Sequence, residues 1–321
     1  MNVVKEIRDN SRMSPKDRYG SHSILKSIRK DKYLYMLLLL PISYFLVFKY
    51  IPMAGMIVAF RKYVPGQSIF GVEWVGLKYY NMFLTDPTFW SAFKNTIILN
   101  VLYLGIGFPI PILFALLLNE IANQKFKRFV QTVSYLPRFF STIVVVGIIK
   151  ELLSPSTGIV NHLITLFGFE PIAFLNEAAW FRPIYIISDI WQFMGWNTII
   201  YIAALTTVDP KLYEAAMMDG AGGFKRTIHI TIPSIMPTIV ITFIFAVGSL
   251  LTVGFEKVFL LQNPVTYSTA DVIDTFVIRR GLQENNYSYA TAAGLMSSII
   301  ALILILGTNR LAKKYSDSSL F

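Results

Sequence analysis

The chain has 321 residues, of which 54% are hydrophobic and only 15% are charged. Because a soluble globular protein carries about 25% charged residues on a surface that faces water, this composition excludes a soluble or disordered chain and favours an integral membrane protein. In such a protein the net charge of +10 reports orientation rather than nucleic-acid binding. The absence of cysteine excludes a disulfide framework, a thiol nucleophile and thiolate metal sites.

The first 33 residues are basic and precede the apolar part of the chain. Within them Ile24, Leu25 and Ile28 recur at helical spacing among lysines and arginines. This pattern fits a short amphipathic helix on the anionic inner leaflet. It fits a solvated basic tail equally well, so the sequence leaves both interpretations open.

Six apolar stretches are long enough to cross a bilayer, which takes about 20 residues in a helix. They are numbered here as spans one to six and cover residues 34–60, 96–118, 133–149, 184–205, 235–254 and 290–308. Pro41 and Pro52 predict a kink in span one or its end near Tyr50. Pro137 and Arg138 interrupt the start of span three. The predicted fold is an all-α integral membrane protein with six helices.

Lysine and arginine are distributed unevenly between the two sides of this arrangement. With the N-terminus inside, the terminal segments 1–33 and 309–321 and the loops 119–132 and 206–234 together hold twice as many Lys and Arg as Asp and Glu. The outer loops are close to neutral. The positive-inside rule therefore places both termini in the cytoplasm, on either side of a six-span domain at 34–308.

The cytoplasmic loop 206–234 has the signals of two short helices. Asp209 can cap the first helix and Pro210 suits its first position. This helix is predicted to run about nine residues, through Asp219, and to end at the glycines of residues 220–223. A second short helix is predicted to follow and to close at Pro233. A unit of this size has no core of its own and is suited to docking into a partner's groove; the alternative is an ordinary linker.

The same loop resembles the EAA loop of ABC importer permeases. The resemblance rests on the run 214–216, on the run 219–221, on Ile230 and on Pro233, all at the family's spacing. Ile232 departs from it, since leucine is usual there. The resemblance implies a coupling helix that sits in a cleft of a cytoplasmic ATPase, with these residues at the contact: Glu214, Ala215, Ala216, Asp219, Gly220 and Ala221.

Other stretches extend the resemblance over nearly the whole chain after its first thirty or so residues. Residues 74–80, 86–90 and 95–96 look like the approach to span two in sugar permeases. The branch that handles polysaccharide fragments and complex oligosaccharides is resembled at residues 135–139, 190–197, 271–276 and 279–282. The chain is thereby identified as a member of the type I ABC importer permeases, as a noncatalytic subunit in a bacterial cytoplasmic membrane.

The resemblance also implies partners and a mechanism. The partners are membrane lipid, two cytoplasmic ATPase subunits, a second permease that is commonly a different chain, and an extracellular substrate-binding protein, with no nucleic acid. ATP and magnesium belong to the ATPase subunits, and this chain is expected to bind no cofactor or metal. ATP-driven closure of the ATPase dimer would switch the spans between inward-facing and outward-facing states.

Span four carries polar and aromatic residues that suit a sugar path. Aromatic faces pack on sugar rings, whereas amides and carboxylates bind hydroxyls, and polar groups inside a bilayer usually face a partner or a water-filled path. The candidates are Asp189, Trp191, Gln192, Trp196 and Asn197. The alternative is an interfacial aromatic belt with Asp189 at the outer membrane edge, paired with Arg138 or Arg182.

The outer segment between spans five and six is also polar, with Asn263, Tyr267, Asp271, Asp274, Arg279 and Arg280. The resemblance implies that such loops meet the substrate-binding protein, and a solvated loop is the alternative.

Other functional classes find less support. The sequence has no G-x-x-x-x-G-K-[ST], H-E-x-x-H or G-x-S-x-G motif, and its three histidines lie far apart. A membrane enzyme such as a lipid-linked transferase would need acids or histidines clustered at one membrane face. An ion-coupled secondary transporter would favour inverted repeats and carboxylates in several spans, where only Asp189 qualifies. It remains an alternative, as does a permease for a non-sugar solute.

Overall fold

The computed structural model describes residues 31–68, 70, 73–250 and 253–315. The N-terminal segment proposed as an amphipathic helix lies outside these residues, as does the end of the C-terminal tail. The chain forms two compact units, Met1–Ile57 and Val58–Phe321. All packing described below lies within the second unit.

Over the described residues the regular structure is helical apart from one antiparallel pair of two-residue strands, β1 (Arg61–Lys62) and β2 (Glu73–Trp74). The helices, in chain order, are α1 (Lys32–Phe60), α2 (Lys78–Leu84), α3 (Pro87–Glu120), α4 (Gln124–Tyr135), α5 (Thr142–Leu152), α6 (Ile159–Leu166), α7 (Ala178–Leu205), α8 (Pro210–Met218), α9 (Gly223–Gly248), α10 (Phe255–Leu261), α11 (Tyr267–Ala270), α12 (Ile273–Ile278) and α13 (Tyr287–Tyr315).

Four helices are long and apolar enough to cross a membrane: α1, α3, α9 and the part of α13 from Tyr287 to Arg310. A fifth span is possible if α4 and α5 form one broken span. Helix α7, predicted as span four, has 28 residues but is not among these because polar side chains reduce its hydropathy. The all-α membrane fold predicted from the sequence is confirmed, whereas the count of six spans stays a prediction.

The third predicted span is not one straight helix. Helix α4 ends in a tight 3-10 turn, Leu136–Phe139, and α5 leaves at an angle of 102°. Pro137 removes a backbone donor at this break. Phe140 is extended, and Ser141 caps α5 by accepting a hydrogen bond from the backbone N–H of Val144 at 3.4 Å. The interruption that Pro137 and Arg138 predict is therefore confirmed, and residues 133–149 belong to two helices joined at a sharp bend.

One of the two alternatives for span one, an end near Tyr50, is wrong, and so is the predicted end of the second loop helix at Pro233, for a common reason. Wide π turns at Leu46–Tyr50 and Thr227–Thr231 directly precede Pro52 and Pro233. Such a turn inserts one extra residue where proline removes a donor and crowds the preceding turn. The helices consequently continue, so that α1 does not stop near Tyr50 and α9 runs on through Pro233.

Helix α7 lies at the centre of the second unit and packs against α3, α4, α9, α10 and α11. The end of α4 approaches α7 at Gly195, where an added Cβ would lie 2.2 Å from the backbone oxygen of Ser134. Only glycine permits this contact. At the inner ends of α3, α7 and α9, one buried cluster contains Ala115, Leu205 and Ile235. This cluster fixes the base from which the cytoplasmic loop projects.

The outer segment between spans five and six folds into α10, α11 and α12 and is not a solvated loop. Asp271 is only 6% exposed and accepts hydrogen bonds from Thr275 and Arg279. Asn95 of α3 donates to the backbone oxygen of Asp271 at 3.1 Å, and Arg182 of α7 donates to the Asn95 oxygen at 2.9 Å. These bonds attach the segment to two long helices, so the solvated-loop alternative is wrong for these residues.

Candidate functional site

The cytoplasmic loop begins with the capped helix predicted from the sequence. The Asp209 carboxylate accepts a hydrogen bond from the backbone N–H of Lys211 at 3.0 Å, and Pro210 occupies the first turn of α8. The helix ends at Met218, within one residue of the predicted end. Pro210 and the short polar side chain before it were therefore sufficient to predict where α8 begins.

The end of α8 is a Schellman turn. The Ala221 N–H donates to the oxygen of Ala216 at 2.9 Å, and the Gly220 N–H donates to the oxygen of Met217 at 3.1 Å. Gly220 has a φ of 74°, the left-handed conformation that glycine adopts without a steric penalty. The predicted glycine stop is confirmed at Gly220, and it fixes the direction in which the chain leaves α8.

Two side chains hold α8 on the inner ends of the long helices. Val208 is buried in the cluster that contains Leu205 and Ile235. Tyr213 packs on the same cluster, and its hydroxyl lies 2.9 Å from the Thr231 hydroxyl. Helix α8 and the turn at Gly220, together called the elbow below, therefore have a fixed position that depends on the arrangement of α3, α7 and α9.

The other face of this elbow is exposed and partly apolar. Glu214, Ala215, Asp219 and Gly220 are exposed, whereas Ala216 and Ala221 are half-buried. Beside them lie two large apolar side chains that sequence reasoning had not placed at the contact, Met218 at 89% and Phe224 at 80% exposure. Such exposed apolar groups at a polar rim are typical of a docking surface.

A cavity of about 460 Å³ lies between α3, α7 and α9. Its polar lining comes from Tyr103, Trp196, Asn197, Tyr201, Thr242 and Ser249, and the rest is apolar. The Tyr201 and Thr242 hydroxyls, both in this lining, are hydrogen-bonded to each other at 2.9 Å. Aromatic rings beside hydroxyl and amide groups form a surface suited to a sugar.

The five α7 residues predicted to line a sugar path do not all face this cavity. Trp196 and Asn197 line this cavity. Trp191 lies on another face of α7, because five residues turn a helix by about 140°, and lines an apolar groove between α5 and α7. Gln192 is 2% exposed; its amide nitrogen lies 3.5 Å from the Phe140 oxygen, and its own oxygen has no partner.

Asp189 forms a buried ion pair with Lys257 of α10. The Lys257 Nζ lies 3.0 Å from an Asp189 carboxylate oxygen, with the side chains 4% and 17% exposed respectively. The alternative pairing with Arg138 or Arg182 is therefore wrong, since Arg182 donates to Asn95 and Arg138 stacks on aromatic rings. Asp189 lies near the cavity but is neutralised within the chain.

Sequence reasoning missed the parts of the site that other helices contribute. Tyr103 lies on α3, and Thr242 and Ser249 belong to α9 or its end. Thr242 and Ser249 are seven residues apart, which is helical spacing, but small hydroxyl residues at this spacing are common in packed helices. Among the described residues, no group of three or more His, Asp and Glu side chains is placed to hold a metal ion.

Comparison with protein families gives one match. Residues 107–317 fit the model described as the binding-protein-dependent transport system inner membrane component. The matched range contains the loop 206–234 and every residue that lines the cavity except Tyr103.

Individual relatives cover almost the whole chain. The polygalacturonan/rhamnogalacturonan transport system permease protein YteP of Bacillus subtilis (strain 168) is 47% identical over 298 residues, 93% of each chain. A chain of a bacterial alginate ABC transporter, crystallised in complex with an alginate pentasaccharide-bound periplasmic protein, superposes with a TM-score of 0.85 at 40% identity. That match covers 92% of this chain and 99% of the other. A further crystal structure, of a bacterial ABC transporter involved in import of the acidic polysaccharide alginate, gives a TM-score of 0.84 at 41% identity, covering 91% and 98%.

Proposed function

Given that the chain belongs to the family of binding-protein-dependent transport system inner membrane components, we propose that it is the permease subunit of an ATP-driven importer of polysaccharide-derived oligosaccharides. The observation that carries this proposal is the elbow built by α8 and Gly220. It is fixed to the inner ends of three long helices and exposes a mixed polar and apolar face. Relatives that handle polygalacturonan and alginate support the sugar class.

The work of ATP hydrolysis is assigned to other subunits. We propose that two cytoplasmic ATPases bind ATP and magnesium, and that each permease of a pair docks its elbow on one of them. Glu214 is exposed and can form a charge-assisted hydrogen bond with a basic residue of the ATPase. Met218 and Phe224 are suited to fill apolar hollows on that partner. Both termini would lie in the cytoplasm of a bacterial cell.

The sugar would pass beside α7. The cavity lined by Trp196, Asn197 and Tyr201 provides an aromatic surface and hydrogen-bonding groups at about the middle of the long helices. An extracellular binding protein would deliver the oligosaccharide, and movement of the elbow would open the path to alternate sides. Tyr201 supports this link, because it lines the cavity and also belongs to the cluster beneath the elbow.

Two substitutions in the elbow test the proposal. Glu214→Arg reverses the charge offered to the ATPase, and Gly220→Pro removes both the left-handed φ and the N–H donor of the turn. We expect the assembled transporter to reach the membrane and hydrolyse ATP, with uptake of labelled oligosaccharide reduced at least about tenfold, the loss that about 1.4 kcal/mol of coupling energy would cause.

Lys211→Gln is the matched control, since Lys211 is exposed on the same helix but outside the coupling motif. Its uptake should remain within about twofold of the wild type, as for most exposed substitutions. Wild-type uptake in both Glu214→Arg and Gly220→Pro would show that this elbow does not couple ATP hydrolysis to transport.

A further inference from the structure

Two cations lie against the same aromatic ring near the cavity, and only one of them has an anionic partner. The Arg138 guanidinium lies 5.2 Å from the centre of the Phe193 ring, and the Lys257 ammonium lies 5.6 Å from it. Lys257 is paired with Asp189. Within the part of the chain that the structure describes, the Arg138 guanidinium forms no hydrogen bond or ion pair and lies over the rings of Phe193 and Trp196.

The position of Arg138 makes this arrangement costly unless it has a function. Phe193 and Trp196 lie near the middle of the 28-residue helix α7, about 22–27 Å from its first residue at 1.5 Å per residue. Arg138 itself lies in the break between α4 and α5. In the six-span arrangement predicted from the sequence, where α7 crosses the bilayer, a charged side chain at this level costs about 2.5–3.5 kcal/mol on insertion scales and usually faces a partner or a water-filled path.

The guanidinium lies next to one of the residues that line the cavity. Arg138 is exposed, and it lies 5.8 Å from the Trp196 ring, which lines the cavity of about 460 Å³. A ligand in this cavity that packs on Trp196 would thus lie beside an arginine with unused N–H donors. Stacking on two rings also restricts the guanidinium plane, which lowers the entropy cost of binding.

The chemistry of a guanidinium selects among sugars. Its planar fork binds a carboxylate through two parallel hydrogen bonds, and charge-assisted bonds are about twice as strong as those to neutral hydroxyls. We propose that Arg138 is a specificity-determining residue that binds the carboxylate of a uronate unit, so that the path prefers acidic oligosaccharides over neutral ones of equal length. This inference rests on the proposed transport function and deepens it. It agrees with relatives of which one is a polygalacturonan permease and one imports an acidic polysaccharide.

The test compares tetragalacturonate with its fully methyl-esterified form, which has the same length but no charge. Binding of each probe to the purified assembled transporter is measured by calorimetry without any binding protein, so that preference arises from the permeases alone. We expect the wild type to bind the acid about tenfold more tightly than the ester. Arg138→Gln should bind both equally, with ester affinity unchanged.

Two further variants keep the test decisive. Lys150→Gln removes an exposed positive charge from α5 and should retain the wild-type preference. Arg138→Lys keeps the charge but loses the fork, so it should reduce the preference severalfold, and it decides the matter if Arg138→Gln does not assemble. An unchanged preference in the Arg138 variants, or none in the wild type, would overturn the proposal.

ATP-driven uptake by the same wild-type preparation, with the binding protein added, separates this inference from the function beneath it. ATP-driven uptake together with no acid preference in the calorimetry overturns only the role of Arg138. Absence of any ATP-driven uptake of oligosaccharide overturns the proposed function itself.

Discussion

The ion pair between Asp189 and Lys257 changes the role that the sequence suggests for Asp189. Span four presents Asp189 as a polar group that could bind a sugar. In the folded chain it is neutralised by Lys257 at 3.0 Å, and both side chains are largely buried. Removing one member of a buried pair leaves the other charge uncompensated, and this is far more destabilising than replacing both.

We therefore predict that Asp189→Ala reduces stability strongly, by about 3 kcal/mol, and reduces the amount of assembled transporter. The double variant Asp189→Leu with Lys257→Met should recover most of the loss, because it leaves no buried charge. Thermal stability of the detergent-solubilised complex measures both effects. A double variant no more stable than Asp189→Ala alone would contradict the importance of the pair.

Asp274 on α12 gives stability a dependence on pH. Burial raises the pKa of its carboxyl from 3.8 to about 6, although a backbone hydrogen bond at Val253 opposes the shift. Because the folded pKa is raised, its stabilising contribution is fully present below pH 3.8 and is lost as the pH rises through about 6. The affected window therefore lies between about pH 4 and pH 7.

We expect the thermal midpoint of the wild type to fall as the pH rises from about 5 to about 7, and Asp274→Asn to lose most of this part of the pH dependence. Asn cannot titrate and has a similar size, so it mimics the protonated carboxyl. Equal pH profiles for the wild type and Asp274→Asn would refute this assignment.

At the scale of single residues, the sequence showed which side chain is unusual but not which side chain it pairs with. It identified Asp189 as unusual because a carboxylate inside a span is costly. It did not identify Lys257, which is 68 residues away and lies in a segment interpreted as an outer loop. Pairings over such distances depend on how helices pack, and a single sequence without packing information leaves several cations equally plausible.

At the level of elements, the break between α4 and α5 and the contact at Gly195 together shape the region around the cavity. Helix α4 ends against the middle of α7, and only a glycine leaves room for the Ser134 backbone. The break also places Arg138 and Phe139 against Trp196. A side chain at position 195 would have to move α4 away from α7.

We predict that Gly195→Ala reduces both thermal stability and uptake, with a stability loss of about 1–3 kcal/mol from overpacking. The matched control is Gly147→Ala in α5, where an added Cβ would meet nothing within 4 Å and where alanine is the better helix former. The control should be as stable as the wild type or more so. If Gly195→Ala is tolerated as well as Gly147→Ala, the close contact is not required.

Local signals predicted the elements unevenly. The start of α8 followed from Asp209 and Pro210 and its end from Gly220, because helix caps are determined by neighbouring residues. The bend of 102° and the continuation of α9 through Pro233 did not follow. Both depend on turns whose geometry is determined by tertiary packing. A proline therefore ends α4 but is accommodated within α9.

At the scale of the whole molecule, α7 connects the two proposed sites. Trp196 and Asn197 line the cavity. Leu205, nine residues after Trp196 on the same helix, packs beneath the elbow that carries Glu214. A rigid helix with a contact at each site allows movement of the elbow to alter the cavity. The membrane character was predictable from composition, because a bilayer requires long apolar helices, and the distribution of charge predicts a cytoplasmic position for the elbow.

The arrangement of the cavity was not predictable in the same way, since its walls come from α3, α7 and α9. Apolar periodicity identifies membrane helices but does not order them around a centre. The polar residues of α3 and α9 are therefore indistinguishable in the sequence from hydroxyls that bond to their own helix.

The central claim is that this chain moves oligosaccharide only as part of an ATP-driven assembly. The most direct measurement is uptake of labelled oligosaccharide into proteoliposomes that contain the complex purified through this chain, with its subunits identified by mass spectrometry. We predict that an ATPase and a second permease copurify, and that uptake requires both ATP and the binding protein. Uptake by this chain alone, driven by an ion gradient without ATP, would contradict the account.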